Sequence, residues 1–395
     1  MVYDFDKVIE RRNTHSVKWD NLDKSFGADD ILPMWVADMD FASPKPILES
    51  IEKRSKHGIF GYTTRPESLH ESIINWVKKR HGWDIKKEWI VYSPGVVTSL
   101  NLAVMSFTQP GDSVIIQSPV YPPFFSVVKN NDRTLALNPL IENSGYYTID
   151  FEDLEKHMAS GCKMMILCSP HNPVGRVWTR SELERIAKLC EEYQVLLVSD
   201  EIHSDLILPG NNHIPIATVS EYIKQNSITC IAPSKTFNIP GLTTSAVIIP
   251  NPKLRIAFLK TINRIGIAMS NIFGIVATEA AYTHGEPWLE DLLKYLDGNI
   301  DYLIKYIKTN IPEIKVTKPQ GTYLVWLDCR ALNMDGKTLH RFMIEQGKIG
   351  LNNGLDFGPG GEGFLRINIA CPRATLEEGL KRINKAVEKW RNLNS

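Results

Sequence analysis

The chain has 395 residues, 43% of them hydrophobic and 23% charged, with Lys+Arg and Asp+Glu balanced at 45 each. That composition supplies enough apolar surface to offset chain ordering, which excludes a disordered chain. Zero net charge with no basic stripe argues against nucleic acid, and no segment is long and apolar enough to cross a bilayer, so the expected partner is a small molecule.

Residues 1–20 alternate charge and lack an apolar core, so no secretory signal is expected. Residues 1–47 look irregular, with Pro33, Trp35, Pro44 and Pro46 near a short apolar run. Residues 69–79 read as a helix that stops before His81-Gly82. An extended segment, 89–92, is broken by Pro94-Gly95, and a helix-like run follows to Met105. Residues 114–117 read as a strand. The clearest unit lies at 163–199. Two apolar strands, 164–168 and 195–199, flank a helix that opens on a Thr179…Glu182 capping box and carries Leu183, Ile186, Ala187 and Cys190 on one face. This βαβ pattern requires a sheet that is at least partly parallel. Residues 228–231 and 245–249 add strands.

After residue 286 the texture changes. A helix is expected over 288–308, a strand over 323–327, and an exposed-edge strand over 365–369. A last helix is capped by Thr375 and Glu378, with Leu376, Leu380, Ile383, Val387 and Trp390 as its apolar stripe. The length and this change suggest two units: a large one over 48–285, and a small one built from 1–47 and 286–395. Six cysteines without metal or CxxC spacing suit reduced core thiols in a cytoplasmic protein, and no metal site is expected.

A literal GxGxxG stands at Gly358–Gly363, but a strand follows it where a dinucleotide loop needs a helix, so a turn is the better reading. Ser93-Pro94-Gly95-Val96-Val97 is different: a loop entering a helix leaves unpaired N–H groups and a helix dipole aimed at an anion. Three strand ends then carry polar groups: Asn172, Asp200 and Lys235. Taken singly, they could be a turn former, a helix cap and a solvated cation. Ligands of parallel sheets bind beyond the carboxyl ends of strands, so the three could converge. A lysine, an acid and a phosphate cradle together suit pyridoxal 5′-phosphate (PLP).

Several further segments carry a resemblance across nearly the whole chain. They are 34–41 (MWVADMDF), Gly61-Tyr62-Thr63, 169–175 (SPHNPVG), 199–203 (SDEIH), 234–241 (SKTFNIPG) and 364–368 (FLRIN). The sequence resembles fold-type I PLP enzymes of the aspartate aminotransferase superfamily, and within it the MalY/PatB-type cystathionine β-lyases. The resemblance implies an α/β fold: a three-layer aminotransferase-like PLP domain with a mainly parallel sheet, plus a smaller α+β domain.

It also implies roles. Lys235 matches the lysine that bonds the cofactor, Asp200 the partner of the pyridine nitrogen, and Asn172 the donor to the ring hydroxyl. Tyr121 matches the stacking aromatic, while Val96, Val97 and Ser234 match phosphate donors. Tyr62 matches a tyrosine that reaches the neighbouring subunit's phosphate, which implies a homodimer with shared sites. Arg366 matches the arginine that grips the substrate carboxylate, with Trp35, Ala37 and Asn352 on the same side. Proton delivery to sulfur could fall to Tyr121 or Tyr62. His203 stands where many aminotransferases have tyrosine; it either touches the ring or is structural. The implied activity is α,β-elimination from cystathionine, cysteine or related S-substituted cysteines. The alternative is an aminotransferase that uses a keto-acid acceptor, since the same residues serve both.

Overall fold

The computed structural model describes residues 3–394. A seven-stranded sheet forms its centre, in the order Ile90–Ser93, Ser245–Ile248, Ser227–Ile231, Leu196–Asp200, Met164–Cys168, Ser113–Ile116, Thr134–Leu137. Only Ser245–Ile248 runs against its neighbours. Met164–Cys168 shows why such strands are apolar throughout. Met164, Ile166 and Cys168 enter one core cluster with Val96, Leu100 and Phe124, while Met165 and Leu167 enter another with Leu183 and Ile186. Both faces are covered by helices, so neither side of the strand can be polar.

The helix Arg180–Tyr193 carries the expected capping box: the Glu182 amide donates to Thr179 Oγ1 (3.3 Å) and the Thr179 amide to Glu182 Oε2 (2.7 Å). The early helix is longer than expected, Glu67–His81, and ends at Gly82, whose φ of 64° suits a residue without Cβ. Residues 3–47 are less irregular than expected. Short helices span Val17–Asp20 and Leu22–Phe26, and the strand Leu32–Pro33 pairs in parallel with Ile349–Gly350.

Two expectations for the C-terminal part fail. Phe364–Asn368 is the middle strand of a three-stranded sheet, between Leu324–Asp328 and Asn352–Asn353, and all five residues are buried. The alternation that suggests an exposed edge places Arg366 against Asn172, Asn352 and Trp35 O, and Asn368 against the carbonyls of Val36 and Asp38, instead of solvent. The last helix, Arg373–Asn394, starts two residues before Thr375, whose amide already donates to Pro372 O (2.9 Å). Thr375 and Glu378 therefore lie inside the first turns rather than capping them. The expected stripe holds: Leu376, Leu380, Ile383 and Val387 are buried, and Trp390 is partly buried against the same core. The glycine run 358–363 is a turn, with Gly358, Gly360 and Gly363 at φ of 84°, 86° and 75°. All six cysteines are buried and free.

Candidate active site

A cleft of about 200 Å³ opens beyond the carboxyl ends of the central strands. The sheet register explains the convergence. Cys168 pairs with Asp200, and Asp200 with Cys230, so these three strands end side by side. Asn172 lies in the loop after the first, Asp200 terminates the second, and Lys235 lies in the turn Pro233–Thr236 after the third. All three line the cleft, as do Ala37, Val96, Val97, Tyr121, His203 and Ser234.

Asp200 is buried, and its Oδ1 accepts the Ile202 amide (3.1 Å). Burial pushes it up to about 7; Glu201 alongside adds to the rise, and the Ile202 bond and Lys235 offset part of it. Lys235 donates to Ala37 O (2.6 Å). Burial, then the charge of Arg366, lowers it to about 8. His203 is held neutral: burial first, then Lys235 and Arg366, bring it down to about 3. Its Nδ1 is buried without a partner, and its ring lies edge-on to Tyr323 at 6.1 Å.

Arg366 faces the strand ends from the three-stranded sheet. It donates to Asn172 Oδ1 (2.9 Å), Asn352 Oδ1 (2.6 Å) and Trp35 O (3.2 Å), and its Nε is buried without a partner. Burial lowers it to about 10. Trp35 thus contributes a carbonyl; its indole turns away, donating to Lys18 O (3.3 Å) and packing on Phe26. Tyr62 is not brought into this cleft: it is 96% exposed.

The helix Val96–Phe107 begins at Gly95, and its first bond runs from the Ser99 amide to Gly95 O (2.9 Å). The amides of Val96, Val97 and Thr98 are left without helical partners at the mouth of the cleft. Thr98, Thr243 and Thr244 also line the cleft, and Tyr323 and Asn368 bond carbonyls of residues 36–38; the sequence reading gave none of the five a role. Thr98 follows the glycine loop and could have been found there; Tyr323 opened a strand candidate and carried no separate signal.

The donor set fits PLP. Asp200 is a carboxylate displaced upward by burial that a cationic N–H would stabilise, the helix start offers amides to a phosphate, and Lys235 lines the same cleft. Arg366 offers a free N–H to a further anion, as a substrate carboxylate would be.

A model of the aminotransferase class I and II family matches residues 30–383. The cystathionine β-lyase PatB of Bacillus subtilis (strain 168) is 47% identical over 384 residues, covering 97% of this chain and 99% of that protein. A PLP-bound protein of Clostridium difficile 630, grouped with the aminotransferases, superposes with a TM-score of 0.96 at 49% identity, over 98% of this chain and 100% of that one. PLP-containing cystalysin of Treponema denticola superposes with a TM-score of 0.95 at 41% identity, over 98% and 100%.

Proposed function

This chain belongs to the class I and II aminotransferase family, with its fold-type I architecture and its dependence on PLP, and from that premise we propose that it is a carbon–sulfur β-lyase. The substrate is cystathionine, cysteine or a related S-substituted cysteine, and the products are a thiol, pyruvate and ammonia. For cystathionine the balance is one water consumed, with homocysteine, pyruvate and ammonia released. Full-length similarity to a cystathionine β-lyase, joined to the convergence of Lys235, Asp200, Asn172 and Arg366, carries this reading.

When bound, PLP supplies an electron sink that acidifies the substrate Cα–H and lets a β-thiolate leave. The chain's residues do the rest. Arg366 takes the substrate α-carboxylate, with Asn352 and the Trp35 carbonyl holding its fork in plane. Asp200, unsettled by burial, holds a proton on the pyridine nitrogen. Lys235, lowered to about 8, is a poised amine that removes the Cα proton. Tyr121, Val96, Val97 and Ser234 would seat the cofactor, and Tyr121, or Tyr62 from a neighbouring copy of the chain, would return a proton to sulfur.

We assign residues 48–285 to a large cofactor unit, and 1–47 with 286–395 to a small one; residues 1, 2 and 395 lie outside the described residues. The pairing of Leu32–Pro33 with Ile349–Gly350 supports that grouping. A homodimer with shared sites gives the exposed Ile59, Phe60 and Tyr62 a partner surface, and six unpaired buried thiols suit a cytoplasmic setting.

The test is purified enzyme with L-cystathionine and no keto acid. Pyruvate, ammonia and homocysteine in equal amounts support the lyase. No release, with amino transfer once a keto acid is added, establishes the aminotransferase instead.

A further inference from the structure

Residues 35–41 form a roof over the cleft, and they do so mainly through their backbone. Trp35 O accepts Arg366, and Ala37 O accepts both Lys235 (2.6 Å) and Tyr323 Oη (2.9 Å). The Asn368 side chain donates through Nδ2 to Val36 O (2.6 Å) and Asp38 O (2.7 Å). The positions of the two cleft cations, Lys235 and Arg366, thus depend on where this segment lies.

Its outer side is held by charges from the first 20 residues. Arg11 reaches Asp38 Oδ2 (2.7 Å), Asp40 Oδ1 (2.6 Å) and Met39 O (3.1 Å) with its two terminal nitrogens. Lys18, 1% exposed, donates to Asp40 Oδ2 (2.7 Å), and Trp19 Nε1 donates to Asp40 Oδ1 (2.9 Å). Asp20 shapes the loop that carries Arg11 by accepting the amides of Asn13 (2.8 Å), Thr14 (3.1 Å) and Ser16 (2.9 Å). Burial pushes Asp40 up, but Lys18, Trp19 and Arg11 hold it below the usual carboxylate range.

Two cations on two largely buried acids are a poor way to gain stability, because desolvation consumes most of the attraction. They are a good way to fix geometry, since each acid is bound from several directions at once. Asp38 directly follows Ala37, so a pinned Asp38 pins the carbonyl that orients Lys235. The roof has other supports: Asn238 bonds the Met39 amide (2.9 Å) and Phe41 O (2.8 Å). Loss of Arg11 should therefore loosen the segment without unfolding it.

Resting on the reading of the site given above, we propose that Arg11 and Lys18 are positioning residues: their ion pairs with Asp38 and Asp40 fix residues 35–41 so that Lys235 and Arg366 meet the substrate in register. The test is hydrogen exchange of residues 34–41, followed by mass spectrometry on the holoenzyme, together with steady-state kinetics on L-cystathionine. The reporting amides include Met34 (to Gly350 O, 2.8 Å) and Asp40 (to Ala370 O, 2.9 Å). In Arg11→Gln and Lys18→Met, exchange there should rise at least about tenfold, while Met164–Cys168 and Leu196–Asp200 stay protected. The kcat should fall about 10- to 100-fold with the yellow absorbance retained, the scale expected for ångström-level misplacement. Arg11→Lys, which keeps the charge but lacks the planar two-armed fork that meets Asp38 and Asp40 with separate nitrogens, should recover only part of the loss.

Unchanged exchange in both variants, or faster exchange with wild-type kcat and KM, overturns the proposal. If Arg11→Gln does not fold, Lys18→Met decides by the same criteria. A wild-type enzyme inactive on cystathionine refutes the lyase reading alone, and the exchange measurement still decides on the roof.

Discussion

The floor and the roof of the cleft are built by opposite rules. The floor groups Asn172, Asp200 and Lys235 come from three adjacent parallel strands, each at or within a few residues of a strand end. The roof comes from distant stretches of chain: Arg366 bonds a carbonyl 331 positions away, and Asn368 bonds one 332 positions away. The floor is thus an outcome of local βα order, while the roof exists only after the chain's two ends have met. The same division separates chemistry from recognition. Under the proposed function, floor groups act on the cofactor and the reacting proton, and roof groups act on the substrate's carboxylate and on the aim of Lys235.

Four substitutions test this division, from the largest expected effect to the smallest. Under the proposed function, Lys235→Ala removes the base and the cofactor link together. Its rate of pyruvate release should fall about 10²–10⁴-fold, and the yellow absorbance should vanish. A variant that keeps its colour would place the reactive lysine elsewhere.

Asp200→Asn should act in opposite senses on the two forms of the protein. In the cofactor-free protein the folded carboxyl titrates near 7, above its ordinary 3.8, so the fold retains a proton that the unfolded chain sheds. Stability from this group is therefore full below about pH 4, is lost as pH rises toward 7, and stays lost above it. Apo Asp200→Asn should be more stable than apo wild type at pH 8, by up to about 4 kcal/mol, with the gap closing toward pH 4. Thermal unfolding across that range checks this. In the holoenzyme the same change should weaken cofactor retention and activity.

Arg366→Ala should leave the colour intact and lower kcat/KM by about 10²–10³-fold, the cost of removing one side of a buried charge-assisted pair, with most of the loss in KM. Colour loss in this variant would break the floor–roof division. Thr179→Ala, remote from both, should cost about 1 kcal/mol of stability in denaturant unfolding and change neither KM nor colour.

The division also explains what was legible in the sequence. Met164–Cys168, the Thr179–Glu182 box and the three polar strand ends announce themselves within short windows, because apolar runs, capping residues and turn formers are local signals. Asn172, Asp200 and Lys235 could therefore be grouped before their distances were known. The roof could not. Residues 365–369 alternate polar and apolar in the manner of an exposed edge, and nothing nearby in sequence says that Arg366 and Asn368 are covered by residues 35–38. Trp35 is expected on the substrate side, yet it is the carbonyl that meets Arg366, while the indole bonds Lys18 O and packs on Phe26. Thr375 and Glu378 matched a cap, but Pro372 had already started the helix. Tyr62 is exposed and does not line this chain's cleft, and no local signal in the sequence announces that.

The central claim is that Lys235, on the floor, is the lysine that bonds the cofactor beneath a roof that grips the substrate. The most direct measurement is borohydride reduction of the yellow holoenzyme, followed by digestion and mass spectrometry. One phosphopyridoxyl group on Lys235, and on no other lysine, is the predicted result. A label on another lysine, or none at all, would contradict it.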